Sequence, residues 1–359
     1  MPQNTLIRMQ DIANRAGVGR TTVSLALRNH EKISVETRRR IQKIARDMGY
    51  RPNPLVSAHM AHIRALHPRD IGQCLAFIVN RSVAQMREDY RWPAWQYFVG
   101  AQQRANELGY TMESFNLGEP GMTGRRLSRI LTARGIQGVL IAPLSEGVGL
   151  DGFDLDWRSF SLATIEHTFM EPRLHKTCSD EFSTIGRLIQ RLLDYGYARI
   201  GIAMHSRMDD HANHFWLAGY QTFQALTEER LRIPHFITPA WEQAGFLRWY
   251  RKHKPEAIIT VNDDILRWLG DAGVDVPREV GCATIYWKEY RAELSGFYQN
   301  HELMGAGAVD LIVGQLNRNE RGLPENDKTM LVQAVWRDGA TLCRRTPADA
   351  RAELRIWTR

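Results

Sequence analysis

Arginine and hydroxyl side chains are concentrated between Arg20 and Arg28, a mixture that suits contact with nucleic acid. An arginine can donate paired hydrogen bonds to the edge of a guanine, and serine or threonine can bind phosphate. Residues 1–66 carry twelve lysines or arginines against four acids, a net charge of +8, and the rest of the chain sums to −1. This distribution predicts a polyanion-binding head on a nearly neutral body. A basic run such as 38–40, taken alone, would equally suit a solvated helix face.

Residue patterns for catalysis and metal binding are absent from the sequence. It contains no GxSxG, GxxxxGK[ST] or HExxH motif, so we expect no enzyme and no cofactor. His205, His211 and His214 lie close together, but no carboxylate or cysteine completes a persuasive ligand set, and no metal is expected. The four cysteines are Cys74, Cys178, Cys282 and Cys343, which form no CxxC pair. We therefore expect reduced thiols in the core.

Length and hydropathy limit the location and the number of domains. The 359 residues suit one large α/β domain with a small appendage. No stretch approaches the roughly 18 apolar residues of a membrane span, and the amino terminus lacks the apolar core of a secretory signal. We expect a cytoplasmic protein with no membrane partner.

The basic head shows three short helical patterns. Apolar residues from Met9 to Ala16 follow helical spacing, and Gly17 can end that helix with positive φ. A second pattern begins at Arg20, which gives the short glycine-containing turn of a helix-turn-helix. Ser34 is expected to cap a third helix, whose inner side is predicted to carry Val35, Arg38, Ile41, Ile44, Ala45 and Met48.

From Cys74 onward, strand-like and helical patterns alternate in two series. The predicted strands are 75–80, 111–115, 138–143, 161–166, 198–204, 257–262 and 280–287. Such alternation predicts two doubly wound parallel sheets in one bilobed domain. Ligands of these sheets lie beyond the carboxyl ends of the strands, so a cleft between the lobes is the expected pocket.

Residues 9–54 resemble the DNA-binding head of the LacI/GalR transcriptional repressors. The shared motifs are Asp11-Ile12-Ala13, Ala16-Gly17-Val18, Thr22-Val23-Ser24, 34–38 and 49–53. The remainder, up to about residue 343, resembles that family's periplasmic-binding-protein-like effector domain through Asp180, Leu192, Gly196-Tyr197, 199–201, Gly219-Tyr220 and Asn262-Asp263. The resemblance implies four segments: a helix-turn-helix domain over 1–52, a hinge over 53–66, a bilobed effector-binding and dimerisation domain over 67–345, and a tail over 346–359.

The resemblance also assigns roles in DNA binding. Arg20, Thr21 and Leu25 would read bases, and Thr22, Ser24, Arg28 and Asn53 would bind phosphate. A hinge helix that enters the minor groove would be formed by Leu55, Ser57, Ala58, His59 and Met60. A plain linker is the alternative for this segment. The wedge position, usually leucine in the family, is His59; Met60 or Leu55 could replace it, or the DNA could bend less.

The expected effector site departs from the pattern of sugar-binding relatives. His214 and Trp287 stand where many relatives carry an arginine and an aspartate. The residues expected to bind effector are Asn80, Arg81, Tyr90, Trp92, Ser145, His205, His214, Asn262, Asp263, Tyr286 and Trp287. Strand-end residues of these types suit a polar ligand, and a sugar or sugar derivative is the family expectation.

We therefore expect a homodimeric regulator, a repressor, that binds a pseudo-palindromic operator in double-stranded DNA under the control of a small ligand. The tail lacks heptads sustained over several turns, so no coiled-coil tetramer is expected. Two other classes stay open. A solute-binding or carrier protein would have the same bilobed body, and an α/β enzyme fused to a DNA-binding appendage would also have a basic head.

Overall fold

The computed structural model describes residues 7–27, 32–50, 73–89, 92–144, 154–167 and 171–345. Two groups of predictions fall outside these residues. They are the predicted tail and the roles predicted for Arg28, Asn53, Leu55, Ser57, Ala58, His59, Met60, Tyr90 and Ser145.

The described residues of the head form three helices: α1 (Met9–Ala16), α2 (Arg20–Leu27) and α3 (Val35–Asp47). Gly17 ends α1 with φ of 67°, and the Ser34 hydroxyl accepts the backbone N–H of Thr37 at the start of α3. The core is small and consists of Ile12, Ala13, Ala16, Val23, Ala26, Ile41 and Ala45. The Gln42 side chain donates to the carbonyl of Ala26 at 3.0 Å and fixes α3 against α2. The predicted helix-turn-helix is confirmed.

The prediction that Val35 lies on the inner side of α3 is wrong, since Val35 is 53% exposed. The helix faces the core through Ile41 and Ala45. Six residues separate Val35 from Ile41, which rotates Val35 by about 120° away from that face.

The described residues of the body form two sheets, as predicted, and each sheet has six strands, more than the sequence predicted. The first lobe carries β1 (Cys74–Val79), β2 (Thr111–Asn116), β3 (Gly138–Ile141), β4 (Ser161–Ile165), β5 (His175–Ser179) and β11 (Thr329–Val332), in the order β11-β5-β4-β3-β1-β2. The second carries β6 (Ile200–His205), β7 (Phe236–Thr238), β8 (Ala257–Thr260), β9 (Gly281–Thr284), β10 (Ser295–Tyr298) and β12 (Val335–Arg337), in the order β12-β10-β9-β8-β6-β7. The pairs are parallel except β10 with β12, so one edge strand departs from the expected parallel pattern.

Helices cover both sheets. They are α4 (Val83–Glu88), α5 (Ala94–Glu107), α6 (Gly124–Ala133), α7 (Glu181–Asp194), α8 (Ser206–His211), α9 (Phe215–Leu226), α10 (Gln243–His253), α11 (Asp264–Asp271) and α12 (His301–Arg318). None of the helices in the described ranges is long and apolar enough to cross a membrane. Cys178 and Cys282 are buried as expected, whereas Cys74, the first residue of β1, and Cys343, in the irregular segment after β12, are only half-buried.

The chain crosses between the lobes three times, at Asp180, at 299–300 and at 333–334. The crossing segments are hydrogen-bonded to one another. Gln333 Nε2 donates to Asp180 Oδ2 at 2.7 Å, and Asn300 Nδ2 donates to the carbonyl of Gln333 at 2.7 Å. We call these three segments the hinge strands. They hold the lobes side by side and leave a cleft between them.

Helix α12 returns to the first lobe and packs against α5 at very short range. A Cβ at Gly305 would lie 2.1 Å from the Tyr97 carbonyl oxygen, and one at Gly100 would lie 1.9 Å from the Glu302 carbonyl oxygen. These two glycines let the backbones approach, and the contact positions the amino-terminal residue of α12, His301, at the cleft.

Candidate nucleic-acid interface and ligand cleft

The outer face of α2 presents the residues expected to contact DNA. Val23 and Ala26 are buried against α1 and α3, so the opposite face of α2 is turned to solvent. Arg20 and Thr21 are exposed in the first turn, and Thr22, Ser24 and Leu25 are half-buried. In helix-turn-helix proteins in general, this face and this end of the second helix reach base edges in a major groove.

Arg20, Thr21 and Ser24 line an open groove together with Arg8, Met9 and Gln10 at the start of α1. We call these six residues the head groove. Sequence reasoning missed Arg8 and Gln10 as site residues. Their position at the beginning of the first helix of a helix-turn-helix was the available signal, since that helix crosses the phosphate backbone.

The ligand cleft contains two neighbouring cavities that share Pro93 and Tyr286. The inner cavity, about 300 Å³, is lined from the first lobe by Trp92, Pro93, Tyr97, Pro143, Leu144, Glu166 and His167, and from the second by Glu181, Met208, Asp210, His211, Ala212, Trp216 and Tyr286. The outer cavity, about 590 Å³, includes Gln96, Trp287, Lys288, Tyr298, His301 and Arg337. The inner cavity has the size and the largely apolar wall of a small-molecule site.

Two glutamates lie at the wall of the inner cavity, which also includes Asp210. Glu166 follows β4 with a left-handed φ of 61°, which is unusual for a residue with a side chain and is tolerated where the surrounding structure imposes it. Its Oε1 accepts the Tyr97 hydroxyl at 3.2 Å. Glu181 is 6% exposed at the first position of α7. The Trp216 indole and the Gln299 amide, the latter at 3.3 Å, both donate to its Oε2.

Burial shifts the protonation of these groups. It raises the pKa of Glu166 to about 7, although the Tyr97 hydroxyl opposes the shift. It raises the pKa of Glu181 to about 8, and the neighbouring charge of Glu166 adds to the increase. Burial also lowers the pKa of His301 to about 3, so that its imidazole is neutral near pH 7. Perturbed acids in an aromatic cavity are typical of a functional site.

Three of the predicted effector residues are brought together by the fold. Trp92 and Tyr286 line the inner cavity, and Tyr286 and Trp287 line the outer one. The indole nitrogens of Trp92 and Trp287 are buried and make no hydrogen bond with the residues that the structure describes. A bound ligand with acceptor groups would satisfy them.

The other described candidates lie outside the linings of both cavities. Arg81 forms an ion pair with Asp89. The His205 ring accepts the Arg207 N–H at 3.1 Å and caps α8, and Asn262 Oδ1 accepts the His205 N–H at 2.9 Å.

The loop candidates of the second lobe hold local structure. His214 Nδ1 lies 3.0 Å from Asp209 Oδ2, and Asp263 accepts the Tyr290 hydroxyl at 2.8 Å. Asn80, after β1, also has an interaction partner. In the described ranges, no group of three potential metal ligands is present.

Sequence reasoning missed Tyr97, Glu166, Glu181, Trp216 and His301 as cleft residues. Glu166 ends a predicted strand, and Glu181 is the first residue of α7, where an acid interacts favourably with the helix dipole. Neither position signals a site by itself. Only the fold places Glu166 and Glu181 on the inner cavity with Tyr97 and Trp216, and His301 on the neighbouring outer cavity.

Comparison with known proteins identifies both parts of the chain. Residues 8–53 match the model of the bacterial regulatory proteins of the lacI family, and residues 189–339 match a periplasmic binding protein-like domain.

Among curated proteins, the HTH-type transcriptional repressor CytR of Escherichia coli K12 is 47% identical over 53 residues, 15% of this chain and 16% of that protein. The match therefore spans about one sixth of the length of CytR. The HTH-type transcriptional regulator PtxS of Pseudomonas putida is 22% identical over 325 residues, which cover 86% of this chain and 89% of PtxS.

Solved structures share the fold over nearly the whole chain. A complex of the transcriptional regulator CelR with cellobiose has a TM-score of 0.53 at 19% identity and covers 93% of this chain and 99% of its own. The lac repressor dimer bound to operator and the anti-inducer ONPF has a TM-score of 0.51 at 15% identity, with coverages of 94% and 100%. The helix-turn-helix head therefore belongs to the lacI family of bacterial regulatory proteins, and the bilobed body that follows it has the periplasmic binding protein-like fold.

Proposed function

We propose that this protein is a transcriptional repressor that binds a pseudo-palindromic operator as a homodimer. A small ligand in the interlobe cleft controls its affinity for the operator. The observation that carries the proposal is the exposure of Arg20 and Thr21 at the amino-terminal end of α2, within the head groove. The names of the similar proteins support it, since CytR is a repressor and the lac repressor dimer is bound to operator.

Within this proposal, Arg20 and Thr21 read base edges, and Leu25 makes an apolar contact one turn later. Thr22 and Ser24 bind phosphate from the flanks of α2, and Arg8 and Gln10 extend this contact from α1. One head offers too few contacts for specific affinity, so two heads related by a two-fold axis would bind two half-sites. Leu303, Met330 and Leu331 on neighbouring elements of the first lobe are exposed apolar side chains that support a subunit contact.

The ligand would act through the hinge strands. Glu181 lies on the inner cavity and accepts the amide of Gln299, which belongs to a hinge strand. A ligand that binds one angle between the lobes more tightly than another shifts the population toward that angle. The spacing of the two heads would change with that angle, and the affinity for the operator would change with the spacing.

The first test is selection of duplexes from a random library by the full-length protein. We expect a two-fold symmetric consensus. Selection of no sequence over the starting library would contradict the proposed function.

Replacing Arg20 with alanine is expected to weaken binding to the selected operator by about 1 to 3 kcal/mol and to relax the preference for one base pair per half-site. The reason is the loss of the paired hydrogen bonds that a guanidinium donates to guanine. Titration of operator and of single-base variants, with a fluorescence-anisotropy readout, measures both effects.

Arg46→Ala serves as the control, because Arg46 is exposed on α3 and carries the same charge outside the head groove. It should leave every base preference intact. Equal effects of the two substitutions would show that Arg20 contributes only charge.

Operator affinity is also expected to fall steeply with salt, because each neutralised phosphate releases counterions and contributes a slope of about −0.9 in a plot of log K against log salt. Measurements between low and moderate potassium chloride give the slope. A salt-independent affinity would contradict a phosphate-binding head.

A further inference from the structure

The proposed function leaves the chemistry of the ligand open, and the inner cavity restricts it. Its wall contains the carboxyl groups of Glu166, Glu181 and Asp210, and none of its described residues is a lysine or an arginine. Lys176, on the neighbouring β5, forms its ion pair with Asp327 at 3.7 Å. The described wall therefore combines three acidic groups with the imidazoles of His167 and His211, and burial lowers the pKa of His167, which favours its neutral form.

The hydrogen bonds of Glu181 are incomplete. Both of its neighbours donate to Oε2, which leaves Oε1 without a hydrogen bond from the described part of the chain. Its partners are donors, so the pocket is arranged for a carboxylate that accepts one more hydrogen bond.

Aromatic rings complete the wall. Trp92, Tyr97, Trp216 and Tyr286 contribute rings to the same cavity as the two glutamates. Aromatic faces attract cations, most strongly where water is excluded. Carboxylates and aromatic rings in one small cavity therefore both favour a cationic ligand.

An unpartnered buried group lies beside this wall. His301 is 4% exposed, and its Nε2 makes no hydrogen bond with the described residues. Its ring packs at 5.3 Å from Tyr97 and 5.4 Å from Tyr286, and it lines the outer cavity. A neutral imidazole protonated at Nδ1 offers Nε2 as an acceptor, which suits an N–H group of a ligand.

We propose that the ligand of the cleft carries a protonated nitrogen, an ammonium or guanidinium group on an aromatic or polyol body, held between Glu166, Glu181 and the four aromatic rings. This deepens the proposed function and depends on it only for the location of the ligand. The raised pKa values of Glu166 and Glu181 agree with it, because buried acids without a countercharge resist ionisation and a bound cation supplies that charge. A sugar would qualify if it carried an amine.

Matched pairs of probes test the proposal on the full-length protein. Benzylamine is compared with benzyl alcohol, and glucamine with sorbitol, by isothermal titration calorimetry at pH 8 with probes up to millimolar concentration. We expect the amine of at least one pair to bind about tenfold more tightly than its alcohol, which corresponds to about 1.4 kcal/mol. Glu166→Gln and Glu181→Gln should each reduce that preference, and the double variant should abolish it.

Glu113→Gln is the matched control, because Glu113 lies on β2 in an ion pair with Arg134 and outside both cavities. It should keep the full preference. Equal or tighter binding of the alcohols overturns the proposal, and so does the absence of binding by either amine. A preference that survives in the double variant also overturns it. Operator binding is measured on the same preparations without probe, so failure of the cation proposal is distinct from failure of the regulatory function.

Discussion

Replacing Glu181 with glutamine is expected to stabilise the protein at pH 8 and to leave its stability at pH 4.5 nearly unchanged. Burial, with the nearby charge of Glu166, raises the pKa of Glu181 to about 8, whereas the unfolded chain has the ordinary value of 4.5. Between these values the native state binds more protons than the unfolded state, so stability falls as pH rises. The wild type is stabilised by the neutral carboxyl below pH 4.5 and loses that contribution as pH rises through 8.

The expected gain from Glu181→Gln at pH 8 is about 2 to 4 kcal/mol, the order of magnitude that corresponds to a shift of this size in a buried group. Glutamine keeps the length and an acceptor oxygen for Trp216 and Gln299, whose donors both point to Glu181. Urea unfolding at several pH values, followed by tryptophan fluorescence, gives the free energy of unfolding.

Glu113→Gln provides the control for this experiment. The Arg134 guanidinium lowers the pKa of Glu113, so its own contribution is complete above pH 4.5 and is lost only as pH falls below that value. Between pH 5.5 and 8 the free energy of unfolding of this variant should change with pH in the same way as that of the wild type. If Glu181→Gln does the same, Glu181 is ionised at no cost in the native cleft and the burial argument fails.

Gly305→Ala is expected to destabilise the protein by about 3 kcal/mol or more. The added Cβ would lie 2.1 Å from the Tyr97 carbonyl oxygen and 3.0 Å from the Ala101 nitrogen. Both atoms belong to the backbone of α5 and cannot rotate away, so α5 and α12 would have to separate. Denaturant unfolding measures the loss.

Gly314→Ala is the matched control on the same helix. There the added Cβ would meet only the flexible end of Arg318, at 3.3 Å. Alanine is the better helix former, so a gain of about 0.5 to 1 kcal/mol is expected. Equal changes in the free energy of unfolding for the two substitutions would mean that helix propensity, and not the contact between α5 and α12, determines the effect at Gly305.

Local patterns were sufficient to predict the head. Helical spacing from Met9 to Ala16 and the positive φ of Gly17 are properties of neighbouring residues, and both are present in the structure. The inner side of α3 was less predictable. Its amino-terminal turn extends beyond the small core, so apolar spacing near Val35 does not correspond to burial.

The body was predictable in architecture but not in its late elements. Helix α12 has apolar residues around most of its circumference, with small residues at contacts, and so lacks the one-sided stripe by which a surface helix is recognised. Strand β11 exposes Met330 and Leu331, and β12 has three residues, so neither shows the pattern of a central buried strand.

Site prediction from sequence was limited by distance along the chain. Trp92 and Tyr286 lie on one cavity although 194 positions separate them, and both were expected from their places near strand ends. Glu166 and Glu181 have chemistry that is visible only when burial is known. A lone glutamate at a strand end or helix start is ordinarily solvated, and no local pattern distinguishes the exceptional one.

The return of α12 and β11 to the first lobe has a consequence for the order in which the protein can be completed. During synthesis the residues of β1 to β5 leave the ribosome early, but α12 and β11, which fill one face and one edge of their sheet, emerge about 120 residues or more after β5. Until then a nascent first lobe exposes the apolar surface that Met304, Ala308 and Ile312 later cover. The amino-terminal lobe therefore begins to fold first, but its folding cannot be completed until the second lobe has been synthesised.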